Sequence, residues 1–214
     1  MNELGSKRIQ PAAPAPRQNV ARLPFFDSDR AVVAAILAGQ AAGGAALYDR
    51  HHQYVRRVLI RVLGPDADLH DLVQDVFVAA IDSIGRLEDP DALRSWLAGI
   101  SVHTARVELR RRTRARWFPL FAREELPEVE AAVSTPEVDE AVRSTYRILA
   151  KLSAEERIAF ALRFIEGMEL VEVAEACEIS LATTKRRLAR ARSKFENSAR
   201  TYPELAGWLG GGKS

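Results

Sequence analysis

Between Leu69 and Ile84 the large apolar side chains return at the spacing of a single helix stripe: Leu69, Leu72, Val73, Val76, Phe77, Ala80, Ile81 and Ile84. His70, Asp71, Gln74, Asp75 and Asp82 occupy the other side. A rotation of about 100° per residue puts the first set on one face, and that face must be buried against another element. The flanking segments keep the same period. Ser28 or Asp29 caps a first helix through Ala38, with Gly39 near its end. Gly43 and Gly44 precede a second helix, Leu47 to Leu63, which Gly64-Pro65 terminates. A loop from Gly85 to Asp91 leads into a fourth helix, about Ala92 to Arg112, with Leu93, Trp96, Leu97, Ile100, Thr104 and Val107 facing inward. No stretch alternates with a period of two, so the expected class is all-α.

The 214 residues suffice for one medium domain or two small ones, and 47% hydrophobic with 28% charged residues marks a globular chain. Pro11, Pro14, Pro16 and Pro24 read as a disordered tail over residues 1–28. Pro119, Pro127 and Pro136 with Glu124, Glu125, Glu128 and Glu130 read as a flexible acidic linker over 115–136. Two small helical domains are therefore expected, 29–114 and 137–200, followed by a glycine-containing tail over 201–214. The single Cys177 excludes a disulfide framework and fits a reducing cytosol. No apolar run approaches the roughly 20 residues that cross a bilayer. The N-terminal stretch lacks the apolar core of a signal peptide. The expectation is a cytoplasmic protein without membrane insertion.

Net charge is only +2, so the placement of charge matters more than its sum. Arg106, Arg110, Arg111, Arg112, Arg114 and Arg116 form one basic cluster; Lys185, Arg186, Arg187, Arg190, Arg192 and Lys194 form another. An acidic segment parts them, which suggests two contacts with a polyanion. The second cluster lies within a helix-turn-helix. Ser153-Ala-Glu-Glu156 has the form of a capping box opening a helix, Ala154 to Glu166, that Gly167 ends. A short helix then runs from about Leu170 to Cys177, a turn from Glu178 to Ser180, and a second helix from Leu181 to about Phe195 with Ser180 as its cap. With Leu188 at the centre of the buried face, Thr184, Ala191 and Phe195 lie beside it and Thr183, Arg186 and Arg190 turn outward. Ser180 and Thr183 occupy the end of a recognition helix that reaches base edges, whereas Lys185, Arg187, Arg192 and Lys194 flank it at phosphate positions.

At this point two separated stretches resemble one family, the bacterial RNA polymerase sigma factors of the extracytoplasmic-function (ECF) group. Asp71-Leu-Val-Gln-Asp-Val-Phe77 is similar to the family's polymerase-binding helix, and Ala38-Gly-Gln with Ala46-Leu-Tyr-Asp-Arg-His51 to its opening. Arg94-Ser-Trp-Leu97, Ile100 and Leu109-Arg-Arg-Arg112 resemble its promoter-melting and minus-ten helix. Leu152-Ser-Ala-Glu-Glu-Arg157 and the stretch from Val173 to Arg192 resemble the helices that read the minus-thirty-five element. The resemblance implies a subunit that gives core polymerase its promoter specificity and does no covalent chemistry. It implies polymerase contacts from Asp71, Gln74 and Asp75. For minus-ten recognition and melting it implies Trp96, His103, Arg106, Arg110 and Arg111, with the loop from Gly85 to Asp91 forming a pocket for an unstacked base. Ser180, Thr183, Lys185, Arg186, Arg187 and Arg190 are the implied upstream-element contacts. The implied partners are core RNA polymerase, promoter DNA and an anti-sigma factor, which the family commonly has.

The chain departs from the family where many members have Arg-Asn, since Val102-His103 stands there. Gly99 sits in the middle of a helix at a cost of about 1 kcal/mol relative to Ala. Glu178 occupies a turn position that is usually Gly, so it must adopt a left-handed conformation or the turn must differ. The four histidines, read as surface residues, show no metal-site spacing: His51 and His52 are adjacent, and His70 and His103 have no partners. No nucleophile–base pair or phosphate-cradling loop is present, so neither an enzyme nor a cofactor is expected. Two other readings remain open from the residues alone: a conventional helix-turn-helix regulator that dimerises on palindromic half-sites, and a helical interaction protein without promoter binding.

Overall fold

The computed structural model describes residues 26–64, 69–117 and 136–205. Residues 1–25 of the proposed N-terminal tail, 118–135 of the proposed linker and 206–214 of the proposed C-terminal tail lie outside the described residues. α1 (Asp29–Leu37) starts where the Ser28 hydroxyl accepts from the amide of Ala31 at 3.2 Å. It buries Val32 and Val33 and ends before Gly39, whose φ is 72°.

α2 (Ala41–Leu63) begins earlier than its sequence suggests. Gly43 and Gly44 lie inside it rather than ahead of it, because α1 crosses at their level. A Cβ on Gly43 would stand 2.8 Å from the backbone nitrogen of Ile36, so glycine here serves close helix approach and not helix termination. Leu47, Val55, Val58, Leu59 and Val62 form the buried face. His51 belongs to it too, only 8% exposed, with Nε2 3.2 Å from Asp29 Oδ1. This corrects the expectation of a surface histidine.

α3 (Leu69–Ser83) buries Leu69, Val73, Val76, Phe77 and Ala80 as its period requires, although Ile81 is left exposed. The expected loop from Gly85 to Asp91 is mostly organised as two single 3-10 turns, Ile84–Arg86 and Pro90–Ala92; the Asp89 carboxylate accepts from the amide of Asp91.

α4 (Leu93–Trp117) departs most from expectation. Leu93 and Leu97 are buried, but Trp96, Ile100 and Thr104 are half-buried and Val107 is exposed. Ala98, Ser101, Val102, Ala105 and Leu109 are buried instead. The buried arc is wider than one stripe because α4 is covered twice, by α2 and α3 and also by a helix of the second half.

That half comprises α5 (Pro136–Leu149), α6 (Ala154–Phe160), a π-turn (Ala161–Ile165), α7 (Leu170–Cys177) and α8 (Leu181–Ala199). Ser153 and Glu156 form the reciprocal capping box at the start of α6, and Gly167 follows the π-turn at φ 84°. The π-turn was not foreseen from the sequence. The two halves share one apolar core, which runs from Val32 and Leu47 through Leu97 and Val102 into Ile158, Leu162, Val173 and Cys177.

Candidate nucleic-acid interface

The helix-turn-helix forms where its local signals place it. Ser180 Oγ accepts from the amide of Thr183 at 3.2 Å, satisfying one of the free donors at the start of α8. Glu169 N donates to Glu172 Oε2 at 2.7 Å at the start of α7. Glu178, between the helices, has φ 56° and ψ 46°, so a non-glycine does take up the left-handed conformation. Thr184, Leu188 and Ala191 are buried and Phe195 is half-buried, which fixes the rotation of α8.

That rotation divides the expected upstream contacts. Lys185, Arg186 and Arg190 are exposed, and among the described residues they have no ion-pair partner. Ser180 is exposed but engaged as a cap, and Thr183 is half-buried beside it with its Oγ1 3.0 Å from Ser180 Oγ. Arg187 turns away from this row. Its Nη1 donates to Glu155 Oε2 at 3.0 Å.

The same carboxylate gathers two arginines of the first basic cluster. Glu155 Oε1 accepts from Arg106 Nε at 3.1 Å and from Arg110 Nη2 at 3.4 Å. Arg106 also reaches the Cys177 carbonyl at the end of α7, at 3.5 Å. Arg111 grips the buried Glu108 with two bonds of 2.6 and 2.8 Å, so three of the expected minus-ten cations are held by carboxylates. His103 is exposed, and half-buried Trp96 packs at the edge of the core. Beside it, the Arg94 guanidinium lies 4.4 Å over the Tyr54 ring.

Asp71, Gln74 and Asp75 are exposed along α3, next to Val78 and Ile81, which are 60% and 39% exposed. The face is thus acidic with an apolar strip, a composition suited to a protein partner rather than to DNA. Gln74 Nε2 lies 2.8 Å from the His70 ring nitrogen.

Sequence reasoning missed Glu155. Its neighbour Glu156 stood out through the capping box, but nothing local marks a carboxylate that pairs with arginines 45 and 49 residues earlier. It also missed Arg157, only 8% exposed, and Glu166, which accepts from Arg57 Nε at 2.8 Å. Among the described residues no cluster of His, Cys, Asp or Glu has the geometry of a metal site. Likewise, no helix among them is long and apolar enough to cross a membrane.

Comparison with known proteins bears on both basic clusters. Residues 47–115 match the family model for sigma-70 region 2, and residues 143–195 match that for sigma-70 region 4. The RNA polymerase sigma factor CnrH of Cupriavidus metallidurans is 30% identical over 179 residues, covering 79% of this chain and 93% of its own length. The ECF RNA polymerase sigma factor SigM of Mycobacterium tuberculosis is 29% identical over 168 residues, covering 78% and 83%. The solved structure of CnrH in complex with the cytosolic domain of CnrY superposes with a TM-score of 0.57 at 28% identity, over 82% of this chain and 99% of that one. The sigma factor RpoE of Bartonella quintana, solved with the anti-sigma factor NepR, shares the fold at a TM-score of 0.54 and 21% identity, over 72% of this chain and 95% of that one.

Proposed function

The chain belongs to the sigma-70 family as a sigma factor of the ECF group, and from that premise we propose how its residues divide the work of promoter-specific transcription initiation. It is an initiation factor and not an enzyme, so every role below is one of binding.

Residues 29–114 form the polymerase-binding and minus-ten domain, and 137–200 the upstream-element domain, with 115–136 as the connector. Asp71, Gln74 and Asp75 dock on core polymerase, supported by the exposed acidic and apolar face of α3. Arg186 and Arg190 reach base edges in the major groove, with Ser180 and Thr183 at the leading end of α8 and Lys185 and Arg187 on phosphates. Trp96, His103, Arg106, Arg110 and Arg111 hold the opened minus-ten strand by stacking and by backbone charge. The observation that carries this reading is the cationic row of Lys185, Arg186 and Arg190 on a capped helix, without an ion-pair partner among the described residues. It sits in the half that matches region 4.

The protein acts in the cytoplasm, where core polymerase and promoters are. Relatives solved with CnrY and NepR support an anti-sigma partner for this chain as well. Run-off transcription with purified core polymerase and a genomic fragment library is the test. Initiation at a defined subset of fragments, dependent on the added chain, is expected. Absence of both initiation and core binding would overturn the proposal.

A further inference from the structure

The cationic face of α4 carries one apolar side chain that its periodicity places inside. Val107 is 53% exposed. At about 100° per residue, Ile100, His103, Arg111 and Arg114 fall within roughly 40° of it, and Trp96 lies on the same line about three turns earlier. Trp96 and Ile100 are half-buried at the edge of the core, whereas His103, Val107 and Arg114 are exposed. Helix α7 covers a different flank: a Cβ on Gly99, about 80° round the helix from Val107, would sit 4.0 Å from the carbonyl oxygen of Ala176. The neighbouring arginines do not fold over the valine either. Arg111 donates to Glu108 on its own helix at 2.6 and 2.8 Å, and Arg112 donates to the same carboxylate at 2.7 Å.

A single exposed valine on a protein surface needs no explanation by itself. This one stands in mid-helix, where a β-branched residue is less favourable than the arginines around it and gains little from burial. It is also bracketed by groups that suit a nucleic acid. His103 lies one turn before it, and Arg110, Arg111 and Arg114 lie one and two turns after. A polyanion drawn to those cations is therefore brought against the valine methyls. In the major groove the apolar group that distinguishes one base from the others is the thymine 5-methyl. Valine in a helix keeps one strongly preferred χ1, so its methyls meet that group at little cost in entropy. His103, Val107 and Arg111 follow one another at about 6 Å along the axis, roughly two base steps, which confines the valine contact to one base pair.

We propose that Val107 is a specificity-determining contact that reads the 5-methyl group of one thymine in the minus-ten element. The inference rests on the assignment of α4 to that element. It divides the helix face by chemistry. The cations fix position on the backbone whatever the sequence, and the valine prefers the base that carries a methyl group. Loss of one methyl from such a contact changes affinity about four-fold. Val107 thus grades promoters that the cations have already engaged, and does not by itself decide whether the duplex opens.

The test uses the full chain with core polymerase on a promoter recovered by run-off transcription. Each thymine of its minus-ten element, on either strand, is replaced in turn by uracil, which pairs identically and lacks only the methyl. Titration of the holoenzyme gives the affinity for each template. With the wild-type chain, one uracil template is expected to bind about four-fold more weakly than its parent. Val107→Ala should bind the parent about four-fold more weakly and treat thymine and uracil alike at that position. Val107→Ile, which keeps the branched methyls, should retain the discrimination. Three results would each overturn the contact: no uracil template differing from its parent with the wild-type chain, Val107→Ala keeping the full difference, or Val107→Ala weakening all templates, that one included, to the same extent. Initiation by the wild-type chain on the unsubstituted template separates this claim from the one beneath it. Its absence would sink the sigma-factor reading and the contact together, whereas its presence beside any of those three results would sink the contact alone.

Discussion

Arg157 donates from Nε to the main-chain carbonyl of Val62 at 2.8 Å, so the last turn of α2 is capped by a side chain from α6, 95 residues away. A second bond of 2.8 Å reaches Leu63 O. Carbonyls at a helix C-terminus lack partners within the helix, and a cation there also meets the negative end of the helix dipole. Because Arg157 is only 8% exposed, water does not readily replace its guanidinium. Arg157→Met should therefore cost about 1–3 kcal/mol in urea unfolding, leaving the Val62 carbonyl without its donor and Leu63 O with only the 3.4 Å bond from Arg112 Nη1. A loss under about 0.5 kcal/mol, the range of ordinary surface changes, would mean that water covers both carbonyls.

Burial pushes the Cys177 thiol up to about 11, and Arg106 and Arg187 nearby do not reverse it. At pH 8 about one molecule in a thousand carries the thiolate, against about one in ten for a thiol at 9. Iodoacetamide should alkylate the native protein about 100-fold more slowly than the urea-unfolded chain. Equal rates would show that α7 is not seated as described.

Glu178 adopts φ 56°, where a Cβ crowds the following carbonyl. Glu178→Gly relieves that crowding but adds freedom to the unfolded chain. The net expectation is a gain of about 0.5–1 kcal/mol, read as a higher Tm. Glu178→Val should go the other way, because a β-branched residue suits this region least.

Glu156 is pulled in two directions. Burial acts to raise its pKa, but hydrogen bonds from Lys194 and Ser153 together prevail and hold it below the usual 4.5. Both oxygens lie 2.8 Å from Lys194 Nζ. A carboxylate depressed in the folded state adds stability that is complete above its unfolded value and disappears as pH falls through the folded one. Unfolding free energy should thus drop as the solution is acidified below 4.5, and Lys194→Met should flatten that drop. An identical acid limb in the variant would remove Lys194 as the cause.

Upstream recognition and polymerase docking should separate by mutation. Arg186→Ala is expected to weaken binding to a matched upstream element by about 1–3 kcal/mol, the value of one good base contact. Asp75→Ala should weaken binding to core polymerase and leave duplex affinity unchanged. The check is a pull-down of core enzyme beside a duplex titration; loss of the same activity in both variants would refute the division.

Local signals carried the reading of the sequence furthest. Ser180, the inward set around Leu188 and the Ser153–Glu156 box each depend on residues within a few positions, so α6 to α8 were legible, apart from the π-turn. The wide face of α4 was not, because Val102 and Ala105 are buried partly by a helix that arrives some 70 residues later. Gly99 and Val102 looked like departures from the family pattern; in the fold they lie where α7 approaches. His51 was misjudged for a similar reason, since its partner Asp29 lies on α1. Glu155 had no one-dimensional signature at all.

Gly64 ends α2 at φ 82°, and a Cβ there would stand 3.1 Å from the Tyr146 ring. The missing side chain thus terminates a helix in one half and seats an aromatic ring from the other. Any side chain at this single position would meet two penalties at once, the left-handed backbone that ends α2 and the pressure on the ring, so the end of one helix and the seat of a residue from another cannot be altered separately.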